Sequence, residues 1–339
     1  MLTKLARLFR SSMANVLVLD GGASTEIHRG GIEIHGDPLW SSRLLKSNPD
    51  IIKGVHRSFL DVGCDIIQTI SYQTSISLLC KYGDVSVEGA KELIKKSVFL
   101  AREGVEQYWE DYQKKCETSD DTTLKDRKKP LVCGCLGPYG INFFNASEYN
   151  GNYIDTVSEK DILDMQRPRI QALVDAGIDY LALETIPVQK EAEIVEKLAR
   201  EFPNVKTWIS FQCRDGDHTG HGEKFSDAVL SVVKNGYIKC VGTNCCSPLD
   251  VTSLLTSIQR HRKDYSLELV TYPNSGETWR KSDFNSTGEF LGDSLMSGFG
   301  PAIPKWIELG ANIIGGCCQT TPDDMRIVVD CLRQLNQRK

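Results

Sequence analysis

Residues 159–185 read EKDILDMQRPRIQALVDAGIDYLALET, and the fold can be worked out from this stretch. Apolar residues at Ile162, Met165, Ile170 and Leu173 recur at helical spacing, so a helix is predicted over 159–176. Gly177 follows, the residue that most readily takes the left-handed turn ending a helix. Tyr180–Leu183 is a short apolar run without alternation, which suits a strand buried on both faces. The run stops at the polar pair Glu184-Thr185.

The same unit repeats along the chain. Strands are predicted at 16–19, 66–70, 131–135, 180–183, 207–212, 238–242, 267–271 and 313–315. Helices are predicted at 49–62, 86–112, 159–176, 188–202, 226–235, 250–262, 300–309 and 322–337. Gly63, Gly177, Gly236 and Gly310 stand at helix-to-strand joints. Eight βα units in one α/β domain fit a (β/α)₈ TIM barrel spanning 16–337, after an extension of residues 1–15. A doubly wound sheet is the alternative, but Gly21-Gly22 is no G-x-G-x-x-G turn and the chain has no phosphate-binding loop motif. A polar insert at 113–129 reads as a surface loop, and the Gly/Ser/Asn-rich 272–298 as a long loop on the active-site face.

Composition narrows the function. Of 339 residues, 40% are hydrophobic and 25% charged, enough apolar material for a sizeable core and against disorder. A net charge of −5 gives no basic field for nucleic acid. No run approaches the ~20 apolar residues of a membrane span. Twelve cysteines, including the adjacent pairs Cys245-Cys246 and Cys317-Cys318, indicate a reducing compartment rather than a disulfide scaffold. A cytoplasmic location is therefore expected. The alternative is mitochondrial, since residues 1–15 carry Lys4, Arg7 and Arg10 with no acid.

Barrel chemistry sits at the carboxyl ends of strands. Those ends carry Asp20-Gly21-Gly22, Gln68-Thr69, the run 137–140, Glu184-Thr185, Thr243-Asn244-Cys245 and Gly315-Gly316-Cys317-Cys318. Three thiols on one rim make a zinc site with an open fourth position, the pattern of a catalytic site. Buried, inert cysteine is the competing reading, and it is adopted for Cys64, Cys80, Cys116, Cys133, Cys135, Cys213, Cys240 and Cys331. His218 and His221 have H-x-x-H spacing but read as a solvated loop, and His28, His35, His56 and His261 lie away from strand ends.

The set LDGGASTE (19–26), GPYG (137–140), SEYNGNY (147–153), LALET (181–185), GTNCC (242–246), YPNSGE (272–277) and GGCC (315–318) resembles the homocysteine S-methyltransferase family from about residue 16 to 335. The resemblance implies one Zn²⁺ per chain held by Cys245, Cys317 and Cys318, with Cys246 turned away. It also implies that Asp20 and Glu184 receive the ammonium of L-homocysteine. Backbone N–H groups of Gly21 and Gly22 suit its carboxylate. A free thiol near pKa 8.5 is a poor nucleophile at neutral pH, and zinc corrects this by deprotonating it.

The motifs 147–153 and 272–277 look like the sulfonium-using branch, so S-methylmethionine is expected ahead of S-adenosylmethionine, in methionine biosynthesis, without nucleic-acid or membrane partners. A monomer or weak oligomer is expected. Tyr139, Phe143, Phe144, Tyr149, Tyr153 and Tyr272 are candidate rings facing a cationic donor. The alternatives are a betaine-dependent methyltransferase and a non-catalytic barrel that binds zinc or homocysteine. Selenium analogues of the acceptor are a further alternative.

Overall fold

The computed structural model describes residues 16–118, 127–276, 278–281, 288–291 and 296–337. The proposed extension 1–15 lies outside the described residues. Eight parallel strands follow one another in space as in sequence: β1 Leu17–Val18, β2 Ile66–Gln68, β3 Leu131–Leu136, β4 Tyr180–Ile186, β5 Lys206–Phe211, β6 Cys240–Asn244, β7 Glu268–Tyr272 and β8 Ala311–Ile314. β1 pairs with β8 through Leu17–Ile313 and Val18–Ile314. A parallel bridge between Leu19 and Ile66 joins β1 to β2, with Asp20 N–H donating to the Ile66 carbonyl, and this completes the barrel. The TIM-barrel expectation is thus met.

The helices α1 Ala23–Arg29, α2 Pro49–Val62, α3 Val87–Thr118, α4 Glu159–Asp175, α5 Gln189–Ala199, α6 Phe225–Val233, α7 Pro248–Ser257, α8 Met296–Glu308 and α9 Pro322–Gln337 follow the strands. The predicted helix 250–262 is two pieces, Pro248–Ser257 and Gln259–Tyr265. Gly63, Gly177, Gly236 and Gly310 all have positive φ, as required of joints that reverse the chain after a helix.

Two loop expectations need correction. The start of the polar insert, residues 113–118, is the last part of α3, because its Gln, Lys and Glu residues are good helix formers on a solvated face. Residues 119–126 lie outside the described residues. The segment 272–298 also contains an antiparallel hairpin, Thr278–Lys281 with Gly288–Leu291, and the first turn of α8.

The core has two parts. Helix faces pack on the outside of the sheet around residues such as Phe59, Leu181, Ile209 and Trp306. The barrel interior is filled by Leu19, Ile66, Cys133, Cys135, Ala182, Trp208, Cys240, Val270, Tyr272 and Ile313. Cys133, Cys135 and Cys240 are therefore core residues, and burial pushes each of their thiols up. Filling the interior leaves only the carboxyl rim for chemistry.

A thiol triangle beside two buried carboxylates

Cys245 follows β6, and Cys317 and Cys318 follow β8. Their sulfurs all lie within 4.8 Å of one another, and Cys245 Sγ is 3.7 Å from Cys318 Sγ. Two sulfurs bound to one tetrahedral zinc at ~2.3 Å each stand ~3.8 Å apart, so the donor set fits that ion. Three neighbouring thiols cannot all ionise without a cation. Thiol donation from Cys245 and Cys317 holds Cys318 below the usual thiol range, while hydrogen bonding to Cys317 and Cys318 pushes Cys245 up.

The triangle is built by the segment after β7. Cys317 N–H donates to the Pro273 carbonyl, Cys318 N–H to Asn274 Oδ1, and Ser275 N–H to the Cys318 carbonyl. Asn274 N–H donates to the Cys246 carbonyl and Cys245 N–H to the Tyr272 carbonyl. Residues 272–275 thus tie both cysteine loops together. Cys245 is left-handed, with φ 49°. That turn, rather than strand alternation, separates it from Cys246, whose sulfur accepts from Thr243 Oγ1 and packs in the outer core.

The carboxylates sit beside the thiols. Asp20 is 1% exposed; its Oδ2 accepts from Gln68 N–H at 2.9 Å, and its Oδ1 has no partner among the described residues. Glu184 Oε2 accepts from Gln68 Nε2 at 2.6 Å and from the Tyr272 hydroxyl at 2.9 Å. Burial pushes Glu184 up to about 7, and burial together with the Glu184 charge pushes Asp20 well up. A buried carboxylate oxygen with no donor calls for a cation. Gly22 N–H is spent on the Thr320 carbonyl and Thr320 Oγ1, both at 3.0 Å.

Three further residues support the site. Asn244 accepts from Thr185 N–H and donates to Thr185 Oγ1, each at 2.8 Å, holding Thr185 at φ 59°, and its amide also reaches Cys317 Sγ. Arg169, fully buried on α4, donates to the carbonyls of Ser71 and Tyr72 and so fixes the loop after β2. Glu191 accepts from Tyr139 N–H and from the Tyr153 hydroxyl. The only signal for Arg169 and Glu191 was a charge inside an otherwise apolar helical face, which periodicity alone passes over, whereas Asn244 stood in the 242–246 motif.

The candidate rings divide. Tyr149 lies within electrostatic reach of the Cys318 thiol, whereas Tyr139, Phe143 and Tyr153 pack on one another with centroids about 6 Å apart. Phe144 packs on Tyr82, and Tyr272 belongs to the barrel-interior cluster, where its hydroxyl donates to Glu184 Oε2. His218 pairs with Asp215 and His221 with Glu223, in keeping with a polar loop. His35, left aside in the sequence, does come within electrostatic reach of Cys318, and one of its ring nitrogens lies within 4.8 Å of a His28 ring nitrogen and a Glu33 carboxylate oxygen in a second, largely exposed cluster.

Comparison with known proteins places this geometry. The family model described as homocysteine S-methyltransferase matches residues 17–332. The chain is 37% identical over 332 residues to the betaine-homocysteine S-methyltransferase of Drosophila melanogaster, covering 95% of each chain. It is 37% identical over 313 residues to homocysteine S-methyltransferase 1 of Arabidopsis thaliana, covering 92% of this chain and 91% of that one. The crystal structure of the homocysteine methyltransferase MmuM from Escherichia coli, in its metallated form, superposes with a TM-score of 0.76 at 32% identity and covers 96% of both chains.

Proposed function

The chain belongs to the homocysteine S-methyltransferase family, and from that premise we propose that it transfers a methyl group from a sulfonium donor to the thiolate of L-homocysteine at a zinc ion held by Cys245, Cys317 and Cys318, giving methionine. The observation that carries the reading is the juxtaposition of three sulfurs within 4.8 Å and a buried carboxylate pair with an orphan oxygen. A thiol ligand and an ammonium group on one small molecule satisfy both at once.

Zinc, when bound, supplies a Lewis acid that lowers the pKa of the substrate thiol. The protein does the rest. Asp20 and Glu184 clamp the ammonium, and a cation there returns both carboxyls to their charged form. Gln68 and Tyr272 fix Glu184 from two sides. With Gly22 N–H engaged by Thr320, Gly21 is the remaining backbone candidate for the substrate carboxylate. The homocysteine sulfur then displaces a neutral sulfide from the donor methyl in line, so no general acid is required. Positioning is the main contribution of the site.

A betaine donor is the second reading, favoured by the name of the Drosophila relative. Methionine formation by the purified protein from homocysteine, with S-methylmethionine, S-adenosylmethionine or glycine betaine at equal concentration, decides. The expected order is S-methylmethionine, then S-adenosylmethionine, with betaine inactive. Turnover with betaine alone replaces the donor class, and turnover with none of the three favours a binding barrel without catalysis.

A further inference from the structure

Glu148 takes no part in the reaction above, yet it is built into the same rim. It lies in the four-residue helical turn Ser147–Asn150, between two left-handed residues, Ala146 at φ 64° and Gly151 at φ 67°. The loop after β3 packs tightly behind it, since a Cβ on Gly140 would stand 2.5 Å from Glu148 N. The backbone that carries Glu148 is therefore held from both ends and from behind.

The residue is half-buried, but its Oε2 is shut off from solvent and has no donor among the described residues. Burial and the Cys318 thiol both oppose its ionisation, and only its own backbone N–H favours it. Its charge acts on the hydroxyls of Tyr72 and Tyr149, and both of these also feel Cys245. Tyr72 and Cys317 pack on the same barrel-interior cluster, and Glu148 stands within electrostatic reach of both phenols and of Cys318. A carboxylate kept out of water without a countercharge is costly, and a cationic ligand removes that cost. Aromatic faces add to cation binding. The homocysteine ammonium already has Asp20 and Glu184.

We propose that Glu148, with the rings of Tyr72 and Tyr149, forms the subsite for the positive charge of the methyl donor. This rests on the sulfonium reading of the previous subsection. The donor loses its charge as the methyl leaves, becoming a neutral sulfide. Glu148 therefore stabilises the bound donor at least as much as the transition state, and it acts on KM rather than kcat. It also favours donors of net positive charge over glycine betaine, whose own carboxylate enters with its cation.

The test compares wild type with Glu148→Gln. Expected is a roughly 10- to 100-fold rise in KM for S-methylmethionine, the loss of one charge-assisted contact, with kcat unchanged or higher. Zinc content and homocysteine affinity should stay at wild-type values, and equilibrium binding of S-methylmethionine should weaken in step with KM. Wild-type turnover of S-methylmethionine with the same KM in the variant overturns this inference alone. Loss of zinc or homocysteine binding in the variant assigns Glu148 to the scaffold and overturns it too. Wild-type turnover of betaine only overturns the donor reading and this inference with it.

Discussion

At the scale of the residue, Cys245, Cys317 and Cys318 differ from the other cysteines in what surrounds them. Cys133 and Cys240 are packed among apolar side chains inside the barrel, and Cys246 has Thr243 and the outer core. The three candidate ligands face one another. Replacing any of the three by Ala is expected to strip zinc and abolish methyl transfer. Cys246→Ala is expected to keep the metal and lose about 1–2 kcal/mol of stability to a small cavity. Metal analysis of the four variants checks this, and full zinc in all of them refutes the assignment. Asp20→Asn and Glu184→Gln are expected to retain zinc while weakening homocysteine binding by roughly 1.5–3 kcal/mol, or about 10- to 150-fold. Calorimetric titration with homocysteine reads the effect; unchanged affinity in both variants leaves the carboxylates structural.

At the scale of the element, the site depends on contact between the first and last βα turns. Gly22, at the start of α1, lies against the loop after β8, where an added Cβ would stand 2.6 Å from the Cys317 carbonyl and 2.8 Å from Thr25 Oγ1. The nearer of these atoms is backbone, so a side chain there must displace the very loop that carries Cys317. Gly22→Ala is expected to cost about 1–3 kcal/mol and to lower zinc affinity together with stability. Urea unfolding and metal titration on the same preparation test it. A variant of full stability and full zinc affinity would show that the turns are not coupled. The segment after β7 has the same logic: Asn274 is useful because it reaches both cysteine loops, not because of any chemistry of its own.

At the scale of the whole molecule, the buried carboxylates set a pH dependence of stability. Burial raises Glu184 from 4.5 to about 7, and Glu148 and Glu191 move the same way for the same reason. Between those values the native state binds more protons than the unfolded chain, so stability falls as pH rises through that range. At pH 8 the buried Glu184 charge costs roughly 3 kcal/mol relative to its solvated form. Unfolding free energies of the ligand-free protein at pH 5.5 and pH 8 should therefore differ less in Glu184→Gln than in wild type. Homocysteine should recover stability at pH 8 in the wild type. Equal pH slopes in the two proteins would remove Glu184 from the account. The protein thus holds these buried carboxylates at the expense of its own stability.

Much of this was legible in the chain itself, because the signals are local. Apolar runs bounded by glycine joints specify eight strands and their helices, since burial on both faces and chain reversal depend on neighbours in sequence. Polar residues directly after those runs mark the rim, and the Gly-Gly-Cys-Cys step marks the thiols. Donor choice at Glu184, the grip of Asn244 on Thr185, and the anchoring of the Tyr72 loop by Arg169 join residues that are 59 to 97 positions apart or more. No periodicity encodes such pairs. They exist because barrel closure brings distant strand ends within hydrogen-bonding reach, and only the tertiary structure decides which buried polar atoms find partners and which, like Asp20 Oδ1 and Glu148 Oε2, are left without one among the described residues.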